Sequence, residues 1–225
     1  MTSDDNFSLW AGSWDFLQTE LGLSPSEQIK QKVKNYHALL KIANHEINLT
    51  KLSELPDFLE GHLKDTAFLI KFLPSHPISG TLKYLDLGSG CGSPGIIFHL
   101  LAKGFSRLHT YLCENRPLRA NFLKEAITQL ELEKEIVVFP HKSQYLTEKF
   151  DLITARAVAK PIDLLKLISP HLLKGGRFLA QTNEELIDSK PYIKACHQEG
   201  LKIIDHYDYR LYDFQQRFVT VLERI

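Results

Sequence analysis

The stretch "LDLGSGCGSPG" at residues 85–95 gathers the residue types that let a ligand reach the main chain. Its glycines fit two spacings at once, Gly90-x-Gly92-x-x-Gly95 and Asp86-x-Gly88-x-Gly90-x-Gly92. In either spacing, small residues leading into a helix N-terminus leave backbone N–H groups open to a bound group. A tight turn with no ligand also satisfies the spacing. Two carboxylates carry more information. Asp86 ends the apolar run before the first glycine, where it would repel a pyrophosphate and suit a ligand bearing an ammonium and a sulfonium. Glu114 ends the next apolar run about 20 residues beyond the loop, where a carboxylate takes a ribose diol.

The elements that must position these residues follow from periodicity. Residues 1–74 read as helices. Ile29, Val33, Tyr36, Leu40 and Ala43 recur at helical steps, as do Leu55, Leu59, His62, Leu63, Thr66 and Ile70, with "INLTKLSELP" as a turn between. Trp10 and Trp14 share a helix face and read as core rather than as a stacking platform. The Pro/Ser/Gly-rich "PSHPISGT" (74–81) marks a boundary between a helical extension, 1–74, and a second unit, 75–225. There strands and helices alternate. "KYLDL", "LHTYLCE", "EIVVF", "FDLITA" and "RFLAQT" are strands, and "PGIIFHLLAKG", "RPLRANFLKEAITQLEL" and "PIDLLKLISPHLLKGG" hold helices. Ser93 is expected to cap the first of these helices, with Pro94 in its first turn. "LKIIDHYDYRL" and "QRFVTVLERI" have no helix between them and predict an antiparallel pair at the sheet edge.

The fold class expected is α/β: a mostly parallel seven-stranded, Rossmann-like sheet with helices on both faces and an antiparallel C-terminal strand. That tail, together with Asp86, favours S-adenosylmethionine (SAM) over a dinucleotide. The chain resembles the RsmG (GidB) family, which methylates N7 of a guanine in 16S ribosomal RNA. The resemblance runs from about residue 16 to the C-terminus. It rests on "NHEINLT" (44–50), "HLKDT" (62–66), "LDLGSGCGSPGI" (85–96), "ENRPLRANFL" (114–123) and "ARAVA" (155–159).

The resemblance implies roles for individual residues. Gly88, Gly90, Gly92 and Ser93, with Asp86, would line the methionine end of SAM; Glu114 would hold the ribose; Ser143 and Gln144 would meet the adenine. Arg156 would face both the cofactor and the incoming base. Asn48, Thr50, His62 and Asp65 would form the substrate side. The chain departs from the family pattern at Lys142-Ser143-Gln144 (usually Arg-small-Glu), at Leu118 (usually Lys), and at "LAQT", where Leu-Lys-Gly is common and Gln181 stands instead.

N7 of guanine has an in-plane lone pair and no proton, so its methylation needs alignment and no general base. Positive charge moves from sulfur to the ring during transfer. A carboxylate near the ring would favour that transition state, and Asp65 is the candidate, with Arg156 placed to contact O6, a phosphate or the SAM carboxylate. Plainer readings stand beside these. His62 lies on an apolar stripe and suits a core histidine as well as an RNA contact. Asp65 suits a helix-surface acid paired with a lysine. Arg116, Arg119 and Lys124 suit a solvated face as well as contacts to phosphates.

Composition limits the alternatives. The 225 residues carry 27 basic and 27 acidic side chains, so no overall basic footprint marks a nucleic-acid binder. Three dispersed cysteines and ten scattered histidines show neither a disulfide framework nor a metal motif. No apolar run approaches the ~20 residues of a membrane span, and "MTSDDNFSLW" lacks the positive charge of a signal peptide. The expectation is a cytoplasmic, metal-free monomer acting on 16S rRNA or the small ribosomal subunit. Kept open are a SAM methyltransferase for another RNA, a protein or a small molecule, and a non-catalytic SAM-fold module that binds RNA; a dinucleotide oxidoreductase is a distant fourth.

Overall fold

Neighbouring residues on the strands point to opposite faces and so divide the core in two. In β1 (Leu82–Leu87), Leu82 and Tyr84 join one cluster of buried side chains, whereas Leu85 and Leu87 join another. Leu152 and Ile153 divide the same way in β4 (Phe150–Ala155), as do Leu179 and Phe178 in β5 (Leu172–Thr182). The computed structural model of the chain describes residues 3–73, 80–156, 158–182, 186, 189–211 and 216–225. Most of the expected 74–81 boundary lies outside them.

The sheet has seven strands in the order β3-β2-β1-β4-β5-β7-β6, with β2 at Leu108–Cys113, β3 at Ile136–Phe139, β6 at Leu201–Arg210 and β7 at Gln216–Arg224. Strands β1 to β5 pair in parallel; β7 pairs antiparallel with both β5 and β6. The order reverses beside β1, so a crevice opens at the C-terminal ends of β1 and β4. The glycine loop leaves β1 there.

Helices α1 (Ser3–Leu21) and α2 (Glu27–Ile47) lie on the same sheet face as α5 (Gly95–Ala102) and α6 (Pro117–Gln129) and share one core with them. Trp10 and Trp14 belong to that core, their rings stacked at 5.5 Å. The next helical segment is not regular: α3 (Leu55–Phe58) widens into a π-helical stretch at Leu59–Lys64 before α4 (Asp65–Leu69). The other face is covered by α7 (Pro161–Ile168) and α8 (Lys190–Gln198).

Two elements differ from the sequence expectation. The "LLKGG" end of the segment read as helix belongs to β5, because α7 stops at Ile168 and a single 3₁₀ turn follows. Pairing then jumps from Phe150–Leu172 to Leu152–Arg177, and Gly175 takes φ +76° in the bulge. Helix α8 was not anticipated; it buries Tyr192, Ala195 and Cys196 before β6 begins.

Candidate active site

Asp86 is a structural anchor. Its carboxylate accepts from the Gly95 N–H (3.0 Å) and from the Thr154 hydroxyl (2.9 Å) and is 1% exposed. Burial pushes its pKa up to about 6, held back by those same hydrogen bonds. The side chain lies beneath the loop, where its charge favours the first N–H of α5. It takes the capping part expected of Ser93: Pro94 is the cap residue, without a side-chain cap bond, and the Ser93 Oγ finds no partner among the described residues. Asp86 therefore does not face the ligand cleft, contrary to expectation. Gly92 also turns inward, since a Cβ there would lie 3.2 Å from the Tyr36 hydroxyl and 2.8 Å from Ile96. Tyr36 donates to the Cys91 carbonyl at 2.7 Å, so α2 buttresses the loop from below.

Above the loop lies a cleft of about 300 Å³. Gly88, Gly90 and Ser93 line one side and Glu114 another. Glu114 receives one backbone N–H on each oxygen, Gly90 N–H at 2.9 Å and Arg116 N–H at 2.8 Å, which leaves further lone pairs for a diol. Gly88 has φ +71°, and a Cβ on it would lie 2.5 Å from Val158. Past Val158 the groove continues into a lobe of about 210 Å³ lined by Cys113, Lys142, Ser143 and Gln144. The two lobes share Gly88, Asn115 and Val158. A polar end, a diol acceptor and a more apolar lobe thus follow one another, which fits the amino-acid, ribose and base parts of SAM. Arg116 and Arg119 also line the cleft and so are more than a solvated face.

Arg156, on the substrate side, is held by the helical extension. Its guanidinium donates to Gly61 O (3.0 Å), to Asp65 Oδ2 (3.2 Å) and to His62 Nδ1 (3.0 Å). Both Gly61 and His62 belong to the π-helical stretch, whose widened turn offers these acceptors. Asp65 is 5% exposed and also accepts from the Tyr209 hydroxyl (2.6 Å) and from Gln181 Nε2 (3.0 Å). It holds Arg156 in place and does not line the cleft. His62 is 1% exposed and lies out of a substrate's direct reach, and burial, followed by the Arg156 charge, lowers its pKa to about 3. Thr50 does line the cleft; Asn48, exposed with φ 46° at the end of α2, does not. Tyr209 gave no sequence signal beyond an aromatic in a strand, and Tyr36 read only as part of an apolar face.

A parallel sheet closed by an antiparallel hairpin, with a glycine loop after β1 and an acid after β2, is the architecture of class I SAM-dependent methyltransferases. Solved structures agree on the fold: M. jannaschii TYW2 in complex with AdoMet (TM-score 0.55, 18% identity, 73% of this chain and 77% of that one) and a ribosomal protein L11 methylase from Lactobacillus delbrueckii subsp. bulgaricus (TM-score 0.54, 17% identity, 72% and 79%). The chain belongs to the GidB family, rRNA small subunit methyltransferase G, whose model matches residues 29–202. Relatives named ribosomal RNA small subunit methyltransferase G include one from Streptococcus pyogenes serotype M12, 31% identical over 93% of this chain and 90% of its own. Another, from Streptococcus suis, is 29% identical over 90% and 86%. SAM is the methyl donor of this family.

Proposed function

We propose that this chain transfers the methyl group of SAM to N7 of a guanine in 16S rRNA, presented by the small ribosomal subunit. One observation carries the reading: where Arg156 and Thr50 line it, the cleft offers donors and, among the described residues, no free base. Its only described carboxylate, Glu114, is engaged by two backbone N–H groups, and the lone pairs they leave are those the ribose diol of the cofactor takes. The His62 Nδ1 lone pair is taken by Arg156. The thiol of Cys91, which also lines the cleft, is pushed up in pKa by burial. Among the described residues, His141 lines only the lobe that fits the adenine, so a reaction that must remove a proton beside Arg156 and Thr50 has no free base to receive it, whereas N7 of guanine needs none.

When bound, SAM supplies a methyl group already activated on a cationic sulfur. Glu114 and the loop N–H groups orient that donor, and Arg156 places the base edge. The gain is alignment and water exclusion, worth several kcal/mol (roughly 7–11 at best). Arg116 and Arg119 are placed to take phosphates of the RNA. Residues 1–74 serve as a helical extension that fixes Arg156 and the loop, and 75–225 as the methyltransferase domain. We further read the protein as a cytoplasmic monomer that needs no metal. Among the described residues no helix is long and apolar enough to cross a membrane, and no group of three or more His, Cys, Asp or Glu could hold a metal ion.

Methyl-labelled SAM, incubated with small subunits from a strain lacking the enzyme, tests the reading. Label recovered as 7-methylguanosine at one position is expected. Label in another nucleoside, or in ribosomal protein, would replace it.

A further inference from the structure

The hydrogen-bond directions around His62 are determined. A guanidinium only donates, so His62 Nδ1, 3.0 Å from Arg156, must be the acceptor and carries no proton. The neutral ring then bears its hydrogen on Nε2, which lies 3.4 Å from Thr50 Oγ1. Thr50 Oγ1 also accepts the Leu52 N–H at 3.1 Å. Both hydroxyl lone pairs are thereby used, and the hydroxyl hydrogen has no acceptor among the described residues. Thr50 lines the cleft with Arg156. It therefore presents a donor there and cannot present an acceptor. Burial, which keeps His62 neutral through the ordinary pH range, keeps this direction fixed.

The edge of guanine that carries N7 also carries O6, an acceptor; adenine has an amino donor at the same place. We propose that Thr50 is a specificity-determining residue: its hydroxyl, set as a donor through His62 and Arg156, recognises guanine O6 and turns away the adenine amino group. This rests on the guanine-N7 reading above and assigns its base selectivity. A lone hydroxyl that could rotate would accept from adenine as readily as it donates to guanine. The His62 tautomer removes that freedom, which is why a residue too buried to touch the substrate still shapes the choice of base.

The test pairs a base change with a side-chain change. Small subunits are reconstituted with rRNA carrying guanosine, or 2-aminopurine riboside, which keeps N7 and lacks O6, at the methylated position. Each is assayed with the wild-type protein, Thr50→Val and Thr50→Ser, and the Kd for SAM is measured for all three proteins. Thr50→Val should lower kcat/KM on guanosine about tenfold and should feel the loss of O6 about tenfold less than the wild type does. Thr50→Ser should behave as wild type, and the SAM Kd should not change. Independent, multiplying effects of the two changes would overturn the proposal, because the hydroxyl would not be meeting O6. A matching loss of SAM affinity would overturn it by assigning the hydroxyl to the cofactor. Failure of Thr50→Ser to restore activity would do so by assigning Thr50 to packing. If the wild-type protein binds SAM and labels no guanosine, the guanine reading itself fails, a result separate from the other three because it needs no variant.

Discussion

The two halves of the cleft are built from different materials. The cofactor half is backbone: loop residues 88–93 and the two N–H groups on Glu114, all within a stretch of about 30 residues. The substrate half is mostly side chains from distant segments: Arg156, Gln181 and Tyr209 meet around the Asp65 carboxylate of the 61–65 turn, and Thr50 joins through His62. Asp86 and Glu114 repeat the contrast within the first half. Asp86 lies within β1 and Glu114 just past the end of β2, two strands that pair side by side. Asp86 is locked beneath the loop by Gly95 and Thr154, and Glu114 faces the cleft. A carboxylate near a strand end thus serves scaffold or ligand according to whether it lies within the strand, as Asp86 does, or just beyond it, as Glu114 does.

The largest effect expected is in the substrate half. Arg156→Ala leaves Asp65 buried with only the neutral donors Tyr209 and Gln181. Breaking such a pair costs about 3 kcal/mol, toward the low end of the usual range because the arginine is partly exposed. Methyl transfer should fall by at least about 100-fold, while the Kd for SAM changes much less. Adding Asp65→Asn should recover much of the lost stability and none of the activity, as read by urea unfolding and single-turnover assays. If the double variant is no more stable than Arg156→Ala, Asp65 is not held in place as a charged partner.

The two halves also respond oppositely to pH. Asp86 has a folded pKa of about 6 against an ordinary 3.8. The folded state therefore binds more protons between those values, and Asp86 costs stability as pH rises through that window, by about 3 kcal/mol when complete. His62, at about 3 against 6.5, binds fewer protons folded, so its contribution is present above 6.5 and is lost as pH falls. His99, lowered to about 4, largely by burial, acts in the same direction as His62. Asp86→Asn should remove the opposing component, and stability measured by urea unfolding should then decline more steeply from pH 6 to pH 4 than in the wild type. An unchanged slope would mean that Asp86 is not raised.

How far the sequence revealed this follows the same division. The strand–helix alternation, the edge hairpin and the glycine loop were legible because they depend on neighbours in sequence. Glu114 was legible for the same reason. The environment of Arg156 was not, since Tyr209 is 144 residues from Asp65 along the chain and nothing local marks the pair. Sequence places Asp86 beside the loop but does not show that the Gly95 N–H and the Thr154 hydroxyl, the latter 68 residues away, enclose it. The π-helical turn at 59–64 has no local signal either, since the buried stripe Leu55, Leu59, Leu63 fits an ordinary helix.

A smaller effect separates shape from freedom within the loop. Gly88→Ala meets both a left-handed backbone (φ +71°) and Val158 at 2.5 Å, so it should cost about 1–2 kcal/mol and narrow the passage between the two lobes. Gly90→Ala has φ +57° but no closer neighbour than Arg119 at 3.7 Å and should cost about 1 kcal/mol. SAM titration should show the greater loss for Gly88→Ala. Equal losses would mean that the groove does not pass beneath Val158.

An effect of similar size to those in the loop is expected at Glu114. Glu114→Gln keeps one oxygen for a backbone N–H but replaces the other acceptor with an amide that donates. Either Gly90 N–H or Arg116 N–H must then lose its partner, and the diol loses a charged acceptor. A charge-assisted hydrogen bond contributes about 1.5 kcal/mol or more, so the Kd for SAM should rise by roughly tenfold. Glu114→Asp is the sharper control. It keeps the charge and draws the carboxylate back by one methylene, so it too should weaken SAM. If Gln weakens SAM and Asp does not, charge at the end of β2 matters and reach does not, and the ribose assignment would give way to a purely electrostatic role.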